Sequence, residues 1–126
     1  MKQAYIDSSV LVAIAFDEAG ATAAKKRLGT FDQLTTSPLA EAEVRSAGRR
    51  EHRVIDTHVF GAIRWLHAER PLSPEIARVL NAGYVRGADC WHLATALYLA
   101  PDPGELVFLT LDHRQRDVAK ALGFAT

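Results

Sequence analysis

A chain of 126 residues is sized for one domain, 1–126, able to bury roughly two-thirds of its unfolded surface. Hydrophobic residues at 48% and charged residues at 24% exclude a disordered chain, and 15 basic against 15 acidic residues argue against nucleic-acid binding by bulk charge, though a surface left net basic by acids sharing one pocket stays open; DNA binding by the chain alone is not expected. The one cysteine, Cys90, excludes an internal disulfide and a multi-cysteine zinc site. The reducing cytoplasm is therefore the default compartment, with no signal peptide and no membrane association expected.

Residues 4–6 form a short apolar run that reaches Asp7 at once. Ser8 and Ser9 follow, then an apolar stretch, 10–16, that reads as a buried helix. In an α/β protein this is a central strand delivering Asp7 to the carboxyl edge of a parallel sheet, where ligands bind. A second helix is predicted over 18–28, stopped by Gly29. Residues 33–36 read as a strand, and Ser37-Pro38 as a helix start: a hydroxyl N-cap, then proline at the first helical position. That helix runs to about Arg50.

Beyond the charged stretch 49–53, apolar spacing over 54–68 predicts a helix with Gly61 as its weak point. Residues 71–73 read as a bridging strand that ends in a second Ser-Pro start, with a helix over 75–82. Gly83 and Gly87 bracket a break, after which Asp89 opens the most apolar helix of the chain, buried because it is apolar nearly all round. Pro101-Asp102-Pro103-Gly104 is a turn. Residues 106–109 are a continuous apolar strand of the kind covered on both faces, ending at Thr110-Leu111-Asp112, and a final helix runs to Leu122. Alternating strands and helices mean α/β, with a small parallel sheet wrapped by helices.

Four acids stand out. Asp7 and Asp89 precede helices and read equally as N-caps, and Asp112-His113-Arg114-Gln115 has capping-box spacing. A cap leaves one carboxylate oxygen free, so capping and metal ligation are compatible. Glu43 lies well inside its helix, on the stripe of Leu39 and Ala47, where an ionised carboxylate is costly unless a cation meets it. Three aspartates at strand-to-helix junctions of one parallel sheet would converge on the same edge, with Glu43 joining from the side. Two carboxylates ~4 Å apart repel by roughly 4 kcal/mol at an effective dielectric near 20, so such a group calls for a divalent cation. Hard oxygen ligands suit Mg²⁺ or Mn²⁺, and the chemistry of such a site is metal-assisted phosphoryl or phosphodiester hydrolysis.

Four segments, in order and covering nearly the whole chain, carry a family likeness. They are Tyr5-Ile6-Asp7-Ser8-Ser9-Val10-Leu11; Thr36 to Arg45 with Glu43 in the acidic position; Asp89-Cys90-Trp91-His92-Leu93-Ala94-Thr95-Ala96; and Leu109-Thr110-Leu111-Asp112-His113-Arg114-Gln115. The chain resembles the PIN-domain ribonucleases, and within them the VapC-type toxins of toxin–antitoxin pairs. Cys90-Trp91 departs from the pattern, where smaller or aliphatic residues are usual. The resemblance implies a three-layer α/β/α fold with a central parallel sheet of four to five short strands. It also implies a Mg²⁺- or Mn²⁺-dependent endoribonuclease acting on single-stranded or loop RNA. Asp7, Glu43, Asp89 and Asp112 would be the catalytic, metal-holding acids, Asp7 and Asp89 the most direct ligands, with Ser9 and Thr110 as supporting hydroxyls. Toxins of this kind form homodimers and are held inactive by a cognate antitoxin that covers the acidic groove.

His92, three residues after Asp89, has two readings: a group that touches substrate or orients Asp89, or a packed, hydrogen-bonded histidine. Among several arginines, Arg86 and Arg114 neighbour the acids in sequence and are the candidate phosphate contacts. Trp65 and Trp91 read as core or subunit interface. A haloacid-dehalogenase phosphatase needs a second aspartate where this chain has Ser9, and no phosphate-cradling glycine loop is present. The rival from another class is a catalytically silent PIN-like module that binds a protein or RNA.

Overall fold

The computed structural model describes residues 1–126. Four parallel strands form its centre: β1 (Gln3–Ile6), β2 (Gln33–Thr36), β3 (Ile63–Trp65) and β4 (Val107–Leu109), in the spatial order β3-β2-β1-β4. Tyr5 of β1 lies between Thr35 of β2 and Phe108 of β4. A single parallel bridge between Val107 and Ala125 adds a rudimentary fifth strand outside β4. Gly123, at a φ of 106°, makes the left-handed turn that brings Phe124 and Ala125 back onto that edge.

Six helices cover the sheet: α1 (Ser8–Ala15), α2 (Ala21–Leu28), α3 (Pro38–Arg50), α4 (Ser73–Ala82), α5 (Gly87–Leu99) and α6 (His113–Leu122). The alternation of strand side chains divides the core in two. Ala4 and Ile6 pack with Val10, Leu11, Ile14 and Val44 of α1 and α3. Tyr5 and Phe108 pack on the opposite face with Leu93 and Leu97 of α5, Val79 of α4 and Val118 of α6. The result is the expected three-layer α/β/α sandwich, and α5 is buried nearly all round as its composition requires.

Two expectations fail. Residues 54–68 are not a helix. The chain leaves α3 through His52, at a left-handed φ of 54°, and Val54 is 98% exposed. Asp56 then caps a one-turn 3₁₀ helix (Thr57–Phe60), and Ile63–Trp65 pairs with the free edge of β2. The segment is rich in β-branched and aromatic residues, and a short apolar run has no periodicity that separates strand from helix. Nor do residues 71–73 form a strand. Leu72 (2% exposed) instead plugs the core as the residue before α4, while Arg70 grips Glu75 with both guanidinium nitrogens, at 2.9 and 2.6 Å. Ser73 is thus the first helical residue rather than the cap. Ser37 does precede α3, but its hydroxyl makes no cap bond.

Candidate active site

The carboxyl ends of β1, β2 and β4 are tied together by backbone and hydroxyl bonds: Asp7 N donates to Leu109 O at 3.1 Å, and Thr36 Oγ1 to Ile6 O at 2.7 Å. Asp7 caps α1 from this edge and is only 2% exposed. Its Oδ1 accepts from the Ser9 amide (3.1 Å) and the Ser9 hydroxyl (2.6 Å), and its Oδ2 from Thr110 Oγ1 (2.8 Å). Oδ1 thus accepts two hydrogen bonds, while Oδ2 accepts one and keeps a lone pair. Burial pushes the Asp7 carboxyl up to about 6; Ser9, Thr110 and His92 hold it down, and the charge of Asp89 raises it. The two supporting hydroxyls are themselves fixed. Leu111 N donates to Ser9 Oγ (2.9 Å) and Asp112 N to Thr110 Oγ1 (3.0 Å).

Asp89 is not a cap. Helix α5 starts two residues earlier, with Arg86 in the cap position, and Asp89 stands in the first turn, where its charge suits the helix dipole. Its carboxylate accepts no hydrogen bond within the chain. Burial raises its pKa first, then the charge of Asp112, then that of Glu43, with His92 and Arg86 opposing. Asp89 thus feels the negative charge of both Asp112 and Glu43. Asp112 does cap α6, Oδ1 accepting from Gln115 N at 2.8 Å, which leaves Oδ2 unengaged.

The capping box is only half made. Gln115, fully buried, does not return its side chain to the Asp112 amide. Its Oε1 lies 3.1 Å from Thr110 Oγ1, and its Nε2 donates to the Asp89 carbonyl at 3.3 Å, so one amide ties the end of β4 to the first turn of α5. Sequence reasoning saw in Gln115 only a cap partner.

Glu43 sits half-buried beside the buried stripe of Ala40, Val44 and Gly48. Its Oε1 meets Nε2 of His92 at 2.6 Å, and Nδ1 of His92 meets the Tyr5 hydroxyl at 2.8 Å. With no exposed surface and both nitrogens engaged, His92 cannot touch substrate, and the acid it serves is Glu43 rather than Asp89. The packed, hydrogen-bonded reading is the one observed. Tyr5, unremarked in the sequence except as a strand residue, is its partner.

Arg86 and Arg114 are both exposed beside the acids, Arg114 over the ring of Tyr84 at 5.5 Å. Other arginines have structural duties: Arg45 pairs with Glu41, Arg53 donates to Phe16 O, and Arg116 donates to Thr110 O. Trp65 is half-buried against Phe60, and Trp91 is packed against the larger core.

No three of the His, Cys, Asp and Glu side chains stand close enough to form a coordination shell unaided. What the chain presents is an acidic cluster, not a finished cage. The donor set nonetheless fits a hard divalent ion. It is all oxygen, it includes an Asp89 carboxylate without internal partners, and it contains a buried carboxylate whose charge nothing cationic in the chain neutralises fully. Mg²⁺ keeps several waters and takes one or two carboxylates directly, so it does not need a closed cage.

Residues 4–121 match the PIN domain family model. Across an alignment of 136 positions the chain is 35% identical to Ribonuclease VapC46 of Mycobacterium tuberculosis (strain ATCC 25618 / H37Rv), covering 99% of this chain and 96% of that protein. It is 33% identical to Ribonuclease VapC45 of M. tuberculosis (strain CDC 1551 / Oshkosh) and to Ribonuclease VapC49 of strain ATCC 25618 / H37Rv, with 98% of this chain and 93% of each relative covered. With that likeness along nearly its whole length, and with the three-layer α/β/α architecture built on a parallel sheet, the chain belongs to the PIN-domain family, in its VapC-type group.

Proposed function

We propose that the chain is a Mg²⁺- or Mn²⁺-dependent endoribonuclease that cuts single-stranded or loop RNA as the toxin of a toxin–antitoxin pair. The observation that carries the reading is the pairing of Asp7, buried and held by two hydroxyls, with Asp89, whose carboxylate has no internal partner and is flanked by Glu43 and Asp112. The VapC relatives, each named a ribonuclease, support the same chemistry. Asp7 and Asp89 would hold the ion directly, with Glu43 and Asp112 beside them. Such an ion lowers the pKa of a bound water and neutralises charge at the phosphorus.

The chain's own residues do the rest. Ser9 and Thr110 keep Asp7 in one rotamer, and Arg86 and Arg114 offer guanidinium groups to phosphates next to the acids. Cleavage of RNA in Mn²⁺ or Mg²⁺, stopped by EDTA and lost in Asp7→Asn with the fold intact, is the expected result. Robust cleavage in excess chelator would refute the metal assignment. The open geometry of the acidic cluster favours one alternative, a silent RNA- or protein-binding module, and binding without cleavage by the wild type would select it.

By the same family reading the chain pairs with an antitoxin and forms a homodimer. Leu80 and Tyr84, 49% and 67% exposed beside a groove between α4 and α5, supply apolar surface for a second copy. Light scattering on the purified chain tests this. No helix is long and apolar enough to cross a membrane.

A further inference from the structure

The buried hydrogen-bond chain Tyr5–His92–Glu43 ends on a half-buried acid rather than closing within the core, and His92 at its middle has no exposed surface. Its placement is informative. Tyr5 lies two residues before Asp7 on β1, His92 three residues after Asp89 on α5, and Glu43 on α3. The chain of bonds thus has one foot on each of three elements that carry an acid.

We infer that His92, backed by Tyr5, is a positioning residue: it holds Glu43 in fixed relation to Asp7 and Asp89 and so completes the cation-binding cluster. The inference rests on the proposed reading of the acids as one metal site.

Tyr5 OH lies 2.8 Å from His92 Nδ1, and the opposite ring nitrogen, Nε2, donates to the Glu43 carboxylate, an acceptor only, at 2.6 Å. The bond to the charged carboxylate is of the short, strong kind. Burial, which raises the Tyr5 pKa to about 12, keeps the phenol proton in place. With Oε1 fixed, Glu43 Oε2 remains without an internal partner and is available to a cation.

The test compares wild type, His92→Leu, His92→Gln and Tyr5→Phe, each with a melting curve. Mn²⁺ affinity is measured by electron paramagnetic resonance of the unbound ion, and RNA cleavage is followed alongside. His92→Leu leaves the buried Tyr5 hydroxyl and Glu43 without their partner and should melt below wild type, and the folded protein should lose about tenfold or more in Mn²⁺ affinity and in kcat, with KM for RNA within about twofold. His92→Gln, whose amide can still donate to Glu43, should recover part of the loss, and Tyr5→Phe should show a smaller loss in the same sense.

The decisive measurement is a double-mutant cycle. In a Glu43→Gln background, His92→Leu should cost no further Mn²⁺ affinity. An equal cost in both backgrounds, or wild-type Mn²⁺ affinity in a folded His92→Leu, overturns the inference. Should His92→Leu fail to fold, Tyr5→Phe in the two Glu43 backgrounds decides by the same criterion. A wild type that binds Mn²⁺ but cuts no RNA overturns the nuclease reading and leaves the cycle to judge the inference. One that binds no Mn²⁺ overturns both.

Discussion

Thr110 donates its hydroxyl proton to the buried carboxylate of Asp7 across 103 residues of sequence, at 2.8 Å. It also lies 3.1 Å from Gln115 Oε1, another acceptor, and a hydroxyl has one proton to give. The shorter bond, to the buried acid, takes it. Thr110→Val removes this donor and the acceptor used by the Asp112 amide. It should cost about 1.5–3 kcal/mol at pH 7.5, the range for a hydrogen bond to a charged group, and less at pH 4, where Asp7 is protonated. Urea unfolding at the two pH values checks this, and equal losses would mean that the charge on Asp7 is not what Thr110 serves.

Asp7 itself should be a stability burden in the absence of a cation. Its folded pKa, about 6, lies above the ordinary aspartate value, so its contribution is intact below about pH 4 and is lost as the pH rises through 6. Asp7→Asn should therefore raise metal-free stability at pH 7.5 by about 2 kcal/mol while abolishing cleavage. The substitution also relieves Thr110, because an amide can donate to its oxygen and free the hydroxyl proton for Gln115. The gain should vanish near pH 4, and a gain that persists there would assign it to packing rather than charge.

Divalent metal should reverse the same burden. Mn²⁺ or Mg²⁺ should raise the melting temperature of the wild type, and raise it less in Asp89→Asn, because binding to the folded state alone stabilises by mass action. An equal rise in the two proteins would remove Asp89 from the ligands.

Gln115→Met keeps the length of the side chain and deletes its bond to the Asp89 carbonyl and its 3.1 Å contact with Thr110 Oγ1. We expect a stability loss of about 0.5–1.5 kcal/mol from the lost bond, since the Asp89 carbonyl keeps its partner within α5, with weaker Mn²⁺ binding as Asp89 loses its anchor. Unchanged Mn²⁺ affinity would show that the first turn of α5 is held by packing alone.

Arg86→Ala and Arg114→Ala should each weaken RNA binding to a cleavage-dead Asp7→Asn protein. Each lost phosphate contact should lower the slope of log affinity against log salt by about 0.7, as for a single strand. Arg64→Ala, on the exposed side of β3, should leave that slope alone.

The elements that carry the acids were legible because short strands end abruptly at Asp7 and Asp112, and Ser37-Pro38 marks the start of α3. The region between α3 and α4 was not. Val59, Ile63 and Leu66 satisfy a helical stripe and an irregular path equally well, and what decides is the open edge of β2, which only the assembled sheet supplies. The acids could be named, but their supports could not. Gln115 and His92 form side-chain bonds across 26 and 49 residues, and nothing local distinguishes a buried amide that bridges two elements from one that closes its own cap. Asp89 shows the reverse error. An acid at a helix start invites a capping assignment, yet the helix begins at Gly87, and its own first turn carries the carboxylate.

Strand order has a consequence for when the site comes into being. β4, the last strand made, docks directly beside β1, the first, and brings Thr110 and Asp112 with it. A nascent chain on the ribosome carries Asp7, Glu43 and Asp89 while the slot next to β1 is still vacant. Until β4 has emerged, Asp7 lacks one of the two hydroxyls that orient it, so the acid edge takes its final form only after Thr110 has been made.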